Sequence, residues 1–418
     1  MAMHVRPAPG GRLGPLAAGL AALALIAAAL PLRATADDAG RVIAIGDIHG
    51  HLDGFRAILR ATGLIDAADR WTGGRATLVQ TGDFSDRGAD VRDVMDLLMR
   101  LEREAPRHGG RVVTLVGNHE LMVLLGDLRE VTPEICAAFA DERSEARRER
   151  AWREHAALVR RQAGAFDTPP PVYALTRDDF LAEWPLGCLE YRDALAPRHR
   201  YGAWLRSLPA AAIVEGTLYM HAGARPDLPV SSIDEINARV REEIEKYDTL
   251  TAALVQARLA LPHYTLEQMV GVAVAQVAAA NTLITEARAR GQTLAPAALD
   301  VPAALAAADL TTIGEWWLVA PDGPMWYRGY AMDADGALDA PLEALLARLG
   351  ATHMTVAHTV TADARIRTRS NGRLFLIDTG MLTPVYNGQP SALERVAGGR
   401  FSAVYLDRRE TLAAGPEP

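Results

Sequence analysis

Apolar residues fall in two rhythms along this chain. Residues 41–45, 76–80 and 112–116 are short apolar runs rich in β-branched side chains and bounded by glycine, which predicts buried strands. Between them, Leu52–Ala61 and Val91–Glu104 carry apolar residues at helical spacing. Strand, polar turn and helix therefore alternate. That alternation builds a sheet with helices on its faces and collects the polar turns at the carboxyl ends of the strands.

The same rhythm returns later. Residues 211–215 and 218–220 predict strands, the second ending at His221-Ala222-Gly223, and residues 354–357 predict another that ends at His358-Thr359. Residues 341–350 read as a helix with a glycine stop. In the tail, residues 373–378 and 403–406 alternate in strand fashion and are expected to complete a second sheet.

Two stretches break the pattern. Residues 126–208 include a run of mixed-sign charge at 141–150, which reads as an exposed helix; the stretch is expected to be an insertion covering one side of the strand ends. Residues 231–309 are helical in composition, with candidates at 233–247, 250–261 and Leu266–Ala289, expected to form a cap or else a dimerisation arm. Neither an internal repeat nor a long low-complexity linker divides the chain, so residues 37–418 read as one decorated domain.

The amino terminus carries a different signal. Arg6 and Arg12 precede an apolar run over residues 13–32, and Ala34-Thr35-Ala36 supplies small residues ahead of Asp37. Residues 1–36 thus read as an export signal, with a retained anchor as the alternative, and the mature chain is expected in the periplasm or outside the cell. Removing them takes three of the 44 basic residues and none of the 52 acidic ones, for a net charge of −11. An acidic surface argues against nucleic acid as a partner. Lys246 is the sole lysine, which reads as composition bias. Cys136 and Cys188 are the only cysteines; an exported chain permits one bridge, and the sequence leaves the pairing open.

The chemistry lies in the turns after the strands. They read Gly46-Asp47-Ile48-His49-Gly50, Gly82-Asp83-Phe84-Ser85-Asp86-Arg87-Gly88 and Gly117-Asn118-His119-Glu120. Carboxylate, imidazole and amide oxygen are ligand types for divalent Mn, Fe or Zn, and a shared carboxylate can hold two ions roughly 3.5–4 Å apart. Taken singly, Asp47 and Asp83 could instead cap the next helix, and His221 and His358 could be ordinary buried histidines. His51, His108, His155, His199, His263 and His353 have no such context, Arg225 either lines a mouth or pairs with an acid, and Trp316, Trp317 and Trp326 read as packing.

In this order, the three motifs, the strand-terminal His-Ala-Gly and the later Ala-His resemble the phosphoprotein phosphatase branch of the calcineurin-like metallophosphoesterases. With Arg225-Pro226 and Trp326-Tyr327-Arg328-Gly329, the chain is most similar to the bacterial Shewanella-like phosphatases. The resemblance implies an α/β fold, a β-sandwich flanked by helices with helical insertions, and a two-metal centre. It implies that Asp47, His49 and Asp83 hold one ion, and that Asp83, Asn118, His221 and His358 hold the other. It makes His119 the proton donor with Asp86 behind it, and assigns phosphate contacts to Arg87, Asn118 and Arg328. The implied substrate is a phosphorylated peptide or a small phosphomonoester; a dinucleoside polyphosphate or phosphodiester hydrolase and a non-catalytic metal-binding module are the competing readings.

Overall fold

The computed structural model describes residues 40–163, 175–293 and 299–412; the expected export segment, 1–36, lies outside the described residues. In chain order the strands begin with β1 (Val42–Ile45), β2 (Thr77–Gln80), β3 (Arg111–Thr114), β4 (Ala211–Val214) and β5 (Thr217–Met220). They continue with β6 (His353–Val356), β7 (Arg367–Arg369), β8 (Leu374–Leu376), β9 (Ser391–Arg395), β10 (Phe401–Tyr405) and β11 (Arg409–Leu412). One sheet runs β11-β10-β9-β1-β2-β3, the other β4-β5-β6-β8-β7. Within them β1, β2 and β3 are parallel, as are β5, β6 and β8.

The runs of β1, β2 and β5 are largely apolar because both faces of these strands are covered. Successive side chains point to opposite faces. In β1, Val42 and Ala44 enter the layer between the sheets beside Val79, Tyr219 and Phe375, while Ile43 and Ile45 face the helices. Helices α1 (Leu52–Ala61) and α2 (Val91–Glu104) make the crossovers of the first sheet, and α3 (Asn118–Leu125) follows β3. All six parallel strands thus deliver their carboxyl ends to one edge of the sandwich.

The tail departs from expectation. Residues 373–378 do supply β8 to the second sheet, but residues 403–406 belong to β10, which pairs with β9 in the first. A short reversal through Gly398 and Gly399 makes β9 and β10 a local hairpin, and β9 is already antiparallel to β1, so β10 must follow it. The helices expected at 233–247 and 250–261 are a single helix, Ile233–Gln256. Tyr247, Leu250 and Leu254 lie on one buried face, and Asp248 is held by two bonds from Arg206 at 2.7 and 2.8 Å, so the polar residues there do not interrupt it.

Both insertions pack on the carboxyl end of α3. Arg192, from the first, donates to the Val123 carbonyl at 2.7 Å. Tyr247, from the second, donates to the Leu125 carbonyl, and the Leu266 amide donates to that of Gly126 at 3.1 Å. These donors take up carbonyls that a helix end leaves unpaired. Within the first insertion Cys136 and Cys188 are joined in a disulfide, with Cα atoms 4.4 Å apart.

Beside that bridge the insertions meet in a cluster of rings. His263 lies edge-on to Trp184 and Phe180, with centroids at 5.3 and 6.0 Å, and its Nε2 is covered without a hydrogen-bond partner. Burial, with lesser repulsion from His155 and Arg192, pushes its pKa down to about 3. A histidine so depressed supports folding while neutral; stability is fully present above its unfolded pKa of about 6.5 and falls as pH drops toward 3. Relative to His263→Phe, the parent should lose about 1.4 kcal/mol per pH unit below pH 6. Urea unfolding at pH 7, 5.5 and 4.5 measures this, and parallel curves for the two proteins would contradict it.

Candidate metal centre

The first two turns are joined through their backbones. The Asp83 carbonyl accepts from the amides of Ile48 and His49, both at 2.9 Å, and Phe84 accepts from Gly50 at 3.1 Å. The third turn is fastened by Glu120. One of its carboxylate oxygens accepts from the amides of Asp83 and Gly117, each at 2.7 Å; the other accepts from the amides of Phe84 and Ser85 and from the Ser85 hydroxyl at 2.8–2.9 Å. The two turns approach so closely that a Cβ on Gly82 would stand 2.4 Å from the Gly117 nitrogen. Gly82 also has φ of +97°, so no other residue fits there without displacement.

Around this joint lie Asp47, His49, Asp83, Asp86, Asn118, His119, His221 and His358, all buried. Asp83 is common to two groups of donors that could hold a cation: one with His49 and His119, the other with His221 and His358. In the second, His221 Nε2 is 3.2 Å from Asp83 Oδ2, 2.8 Å from Asn118 Oδ1 and 3.0 Å from His358 Nδ1. In the first, His49 Nε2 and His119 Nε2 lie 3.9 and 3.6 Å from Asp83 Oδ2. Asp47 stands 3.9 Å from His49 Nε2 and accepts from the His358 amide at 3.3 Å.

The outer nitrogen of each histidine fixes which lone pair faces inward. His221 Nδ1 donates to the Thr81 carbonyl and His358 Nε2 to that of Trp326, while Nδ1 of both His49 and His119 meets Asp86. The inner atoms of the second group are then all acceptors, drawn to within about 3 Å with no proton to share. Burial, with His221 beside it, holds His358 neutral by pushing its pKa far down. Burial, Asp378 and Asp83 push Asp47 well up. A divalent cation fits such a site: it resolves the convergence of lone pairs and offsets the packed carboxylates.

Backbone geometry supports the arrangement. His49, Asp83, Asp86, Arg87 and His358 all adopt positive φ, between 45 and 68°. Such conformations cost of order 1–3 kcal/mol each and persist where surrounding bonds enforce them. His119 is buried, which lowers its pKa, but Asp83 and the Asp86 bond outweigh this and raise it to about 9.

Several residues differ from expectation. Arg87, expected to face phosphate, turns inward, donating to His49 Nε2 at 2.8 Å and to the Tyr386 hydroxyl, with Glu130 3.3 Å from its Nε. Its guanidinium faces the first group. Arg328 lies at the other side, bonded to the His358 carbonyl and the Thr359 hydroxyl at 3.0 and 2.9 Å. Arg225 pairs with Asp227 and Asp322, and His51 packs against Gly54, outside both groups. Three residues were missed. Glu120 could have been found from its place three residues past Gly117, the capping-box spacing. Asp378 is buried against Asp47 and accepts from the Gly380 amide; it follows β8 with a glycine two residues on, the pattern of the other turns. Tyr386 carries no signal of its own.

Residues 40–267 match the model of the calcineurin-like phosphoesterase family, more than half of the chain. The chain belongs to this family. Shewanella-like protein phosphatase 2 of Arabidopsis thaliana is 49% identical over 92 residues, 22% of this chain and 24% of that protein. Shewanella-like protein phosphatase 1 of Plasmodium berghei is 28% identical over 216 residues, 50% of this chain and 48% of that protein. The chain thus spans between a quarter and a half of the length of these curated relatives. The crystal structure of a cold-active protein-tyrosine phosphatase from a psychrophilic Shewanella species shares the fold, with a TM-score of 0.55 at 22% identity over 90% of this chain and 80% of that one. These similarities support the phosphoprotein phosphatase branch and the sandwich architecture expected of it.

Within this phosphoesterase fold, Glu120 makes a testable claim about stability. Glu120→Gln keeps the shape but turns an amide group toward backbone donors that need an acceptor. It should lose about 2–4 kcal/mol in urea unfolding, against near-neutral cost for Glu130→Gln on the exposed side of Arg87. Equal effects of the two substitutions would remove Glu120 from its role as fastener.

Proposed function

We propose that this chain is a two-cation phosphomonoester hydrolase acting on phosphorylated protein side chains, tyrosine or serine/threonine. One observation carries the reading: an imidazole backed by a carboxylate, His119 on Asp86, stands beside two groups of converging donors that share Asp83. In the proposal Asp47, His49 and Asp83 hold one divalent ion, and Asp83, Asn118, His221 and His358 hold the other; Mn, Fe and Zn all suit these donors. Bound there, the cations would neutralise phosphate charge and lower the pKa of a water.

The chain's own residues then have distinct tasks. His119, with Nδ1 on Asp86, presents Nε2 to the leaving oxygen, and the bond to the Asp86 carboxylate favours the protonated imidazole that donates there. Asp86 fixes the tautomer of His119 and His49 together. Arg87, once turned from His49, and Arg328 supply paired N–H donors suited to equatorial phosphate oxygens, and the Asn118 amide adds a further donor. The names of the Arabidopsis, Plasmodium and Shewanella relatives favour phosphoprotein as substrate.

Export belongs to the same proposal. The basic-then-apolar amino terminus and the Cys136–Cys188 bridge are both consistent with an oxidising compartment outside the cytoplasm. The mature chain should begin at Asp37 by mass spectrometry of the native protein; an intact amino terminus in the cytoplasm would overturn export.

His119→Ala should lower turnover of a phosphotyrosine peptide about 10²–10⁴-fold while metal content, by plasma mass spectrometry, stays at the parental value. Loss of a cation instead would place His119 among the ligands, where its distance to Asp83 also allows it. Asp83→Ala should empty both sites. Faster hydrolysis of a dinucleoside tetraphosphate than of phosphopeptides would transfer the enzyme to the anhydride class.

A further inference from the structure

One cavity opens beside the second donor group, and a second adjoins it. The first, about 610 Å³, is lined by Met122, Trp326 and Arg328, each in contact with a residue of that group. Met122 Sδ meets the Asn118 amide at 3.9 Å, the Trp326 carbonyl accepts from His358, and Arg328 donates to the His358 carbonyl. The second cavity, about 1030 Å³, shares Asp127, Arg129 and Leu266 with the first, so the two form one groove leading away from the site. Pockets for small ligands run about 300–1,000 Å³. A groove of this combined extent exceeds what a small phosphomonoester would fill.

Its walls select by chemistry. Leu125, Leu266, Leu318 and Pro321 give an apolar floor, with Met332 exposed at the rim. Five carboxylates border it: Asp127, Asp322 and Asp333 on the first cavity, Glu183 and Glu267 on the second. Against them stand Arg129 and Arg328 on the lining, and Arg225, which pairs with Asp322 from outside it. Arg129 is already paired with Asp127, and Arg328 is turned to the His358 carbonyl. The groove therefore keeps a net negative charge next to a site that takes a dianion, which disfavours acidic substrates beyond the phosphate itself.

We propose that this groove, walled near the site by residues 318–333 and farther out by the two insertions, binds an extended peptide segment of the substrate in which apolar and basic residues flank the phosphorylated one. The inference rests on the phosphomonoesterase reading for what sits at the metal centre, and the groove itself can be read separately. The apolar residues cover the floor. The lysines or arginines meet Asp333 at one end and Glu267 at the other.

The test uses the mature chain and three phosphorylated probes: a phosphopeptide with Lys and Leu flanks, one of equal length with Glu and Ser flanks, and p-nitrophenyl phosphate. Titration calorimetry with the unphosphorylated Lys/Leu peptide reads the groove without turnover. The Lys/Leu phosphopeptide should exceed the Glu/Ser one in kcat/KM by about tenfold or more, chiefly through KM, and the advantage should shrink with added salt. Asp333→Lys and Glu267→Lys should each reduce it several-fold, leaving kcat/KM for p-nitrophenyl phosphate within twofold. Equal kcat/KM for the two peptides, or a preference untouched by both reversals, overturns the groove while hydrolysis of p-nitrophenyl phosphate leaves the enzyme reading standing. No hydrolysis of any probe, with calorimetric binding of the Lys/Leu peptide that the reversals abolish, overturns the enzyme reading and keeps the groove.

Discussion

A single buried carboxylate sets the geometry on which the site depends. Glu120 accepts five hydrogen bonds, three from consecutive amides of the second turn and its serine hydroxyl, and one from Gly117 of the third. Burial and the Asp83 charge push its pKa up, and the donors pull against that shift. The same residue closes the first turn of α3, so the helix that begins at Asn118 is indexed to the loop that ends in Asp83. The two ends of the donor set are thereby held in one frame. A frame is needed because each donor is useful only within a few tenths of an ångström of its partners.

The frame also explains why unfavourable features accumulate here. Buried acids repel one another, several non-glycine residues occupy the left-handed region, and imidazole lone pairs are pressed together. Each would relax if its loop were free. Hydrogen bonds to atoms pointing away from the centre, such as those of the Thr81 and Trp326 carbonyls, keep the histidines from turning to satisfy themselves locally. The outcome is a pocket prepared for positive charge; Arg87 supplies some by bonding His49. The same guanidinium is suited to a phosphate oxygen, so its inward rotamer and its proposed role compete for one group.

The strands and the three motif turns were legible because each is local: an apolar run bounded by glycine specifies a buried strand, and order along the chain then brings the turns together. His221 and His358 could be placed for the same reason. What was not legible depends on partners distant in sequence. Asp378 resembles any strand-terminal acid until its neighbour is known to be Asp47. Tyr386 matters only because the short helix Thr383–Tyr386 sits over His49 and Arg87. The assignment of residues 403–406 to the wrong sheet has the same origin, since alternation reports that a strand is half-buried but not which strand it joins. The merging of two expected helices into Ile233–Gln256 reflects tertiary cover of Tyr247 and Leu250, which local polarity around Asp248 conceals.

The insertions look like additions to a finished fold, yet their contacts say otherwise. The amino end of α3 carries Asn118 and His119; its carboxyl end is tied by Arg192 and Tyr247, one from each insertion. A helix of eight residues is short enough that a shift at one end moves the other. Any loosening of the insertions is therefore felt at the donor atoms. The insertions that wall the far part of the groove also steady α3, and Met122 and Leu125 of that helix line its near part, so substrate contact and site geometry are mechanically linked through one short helix.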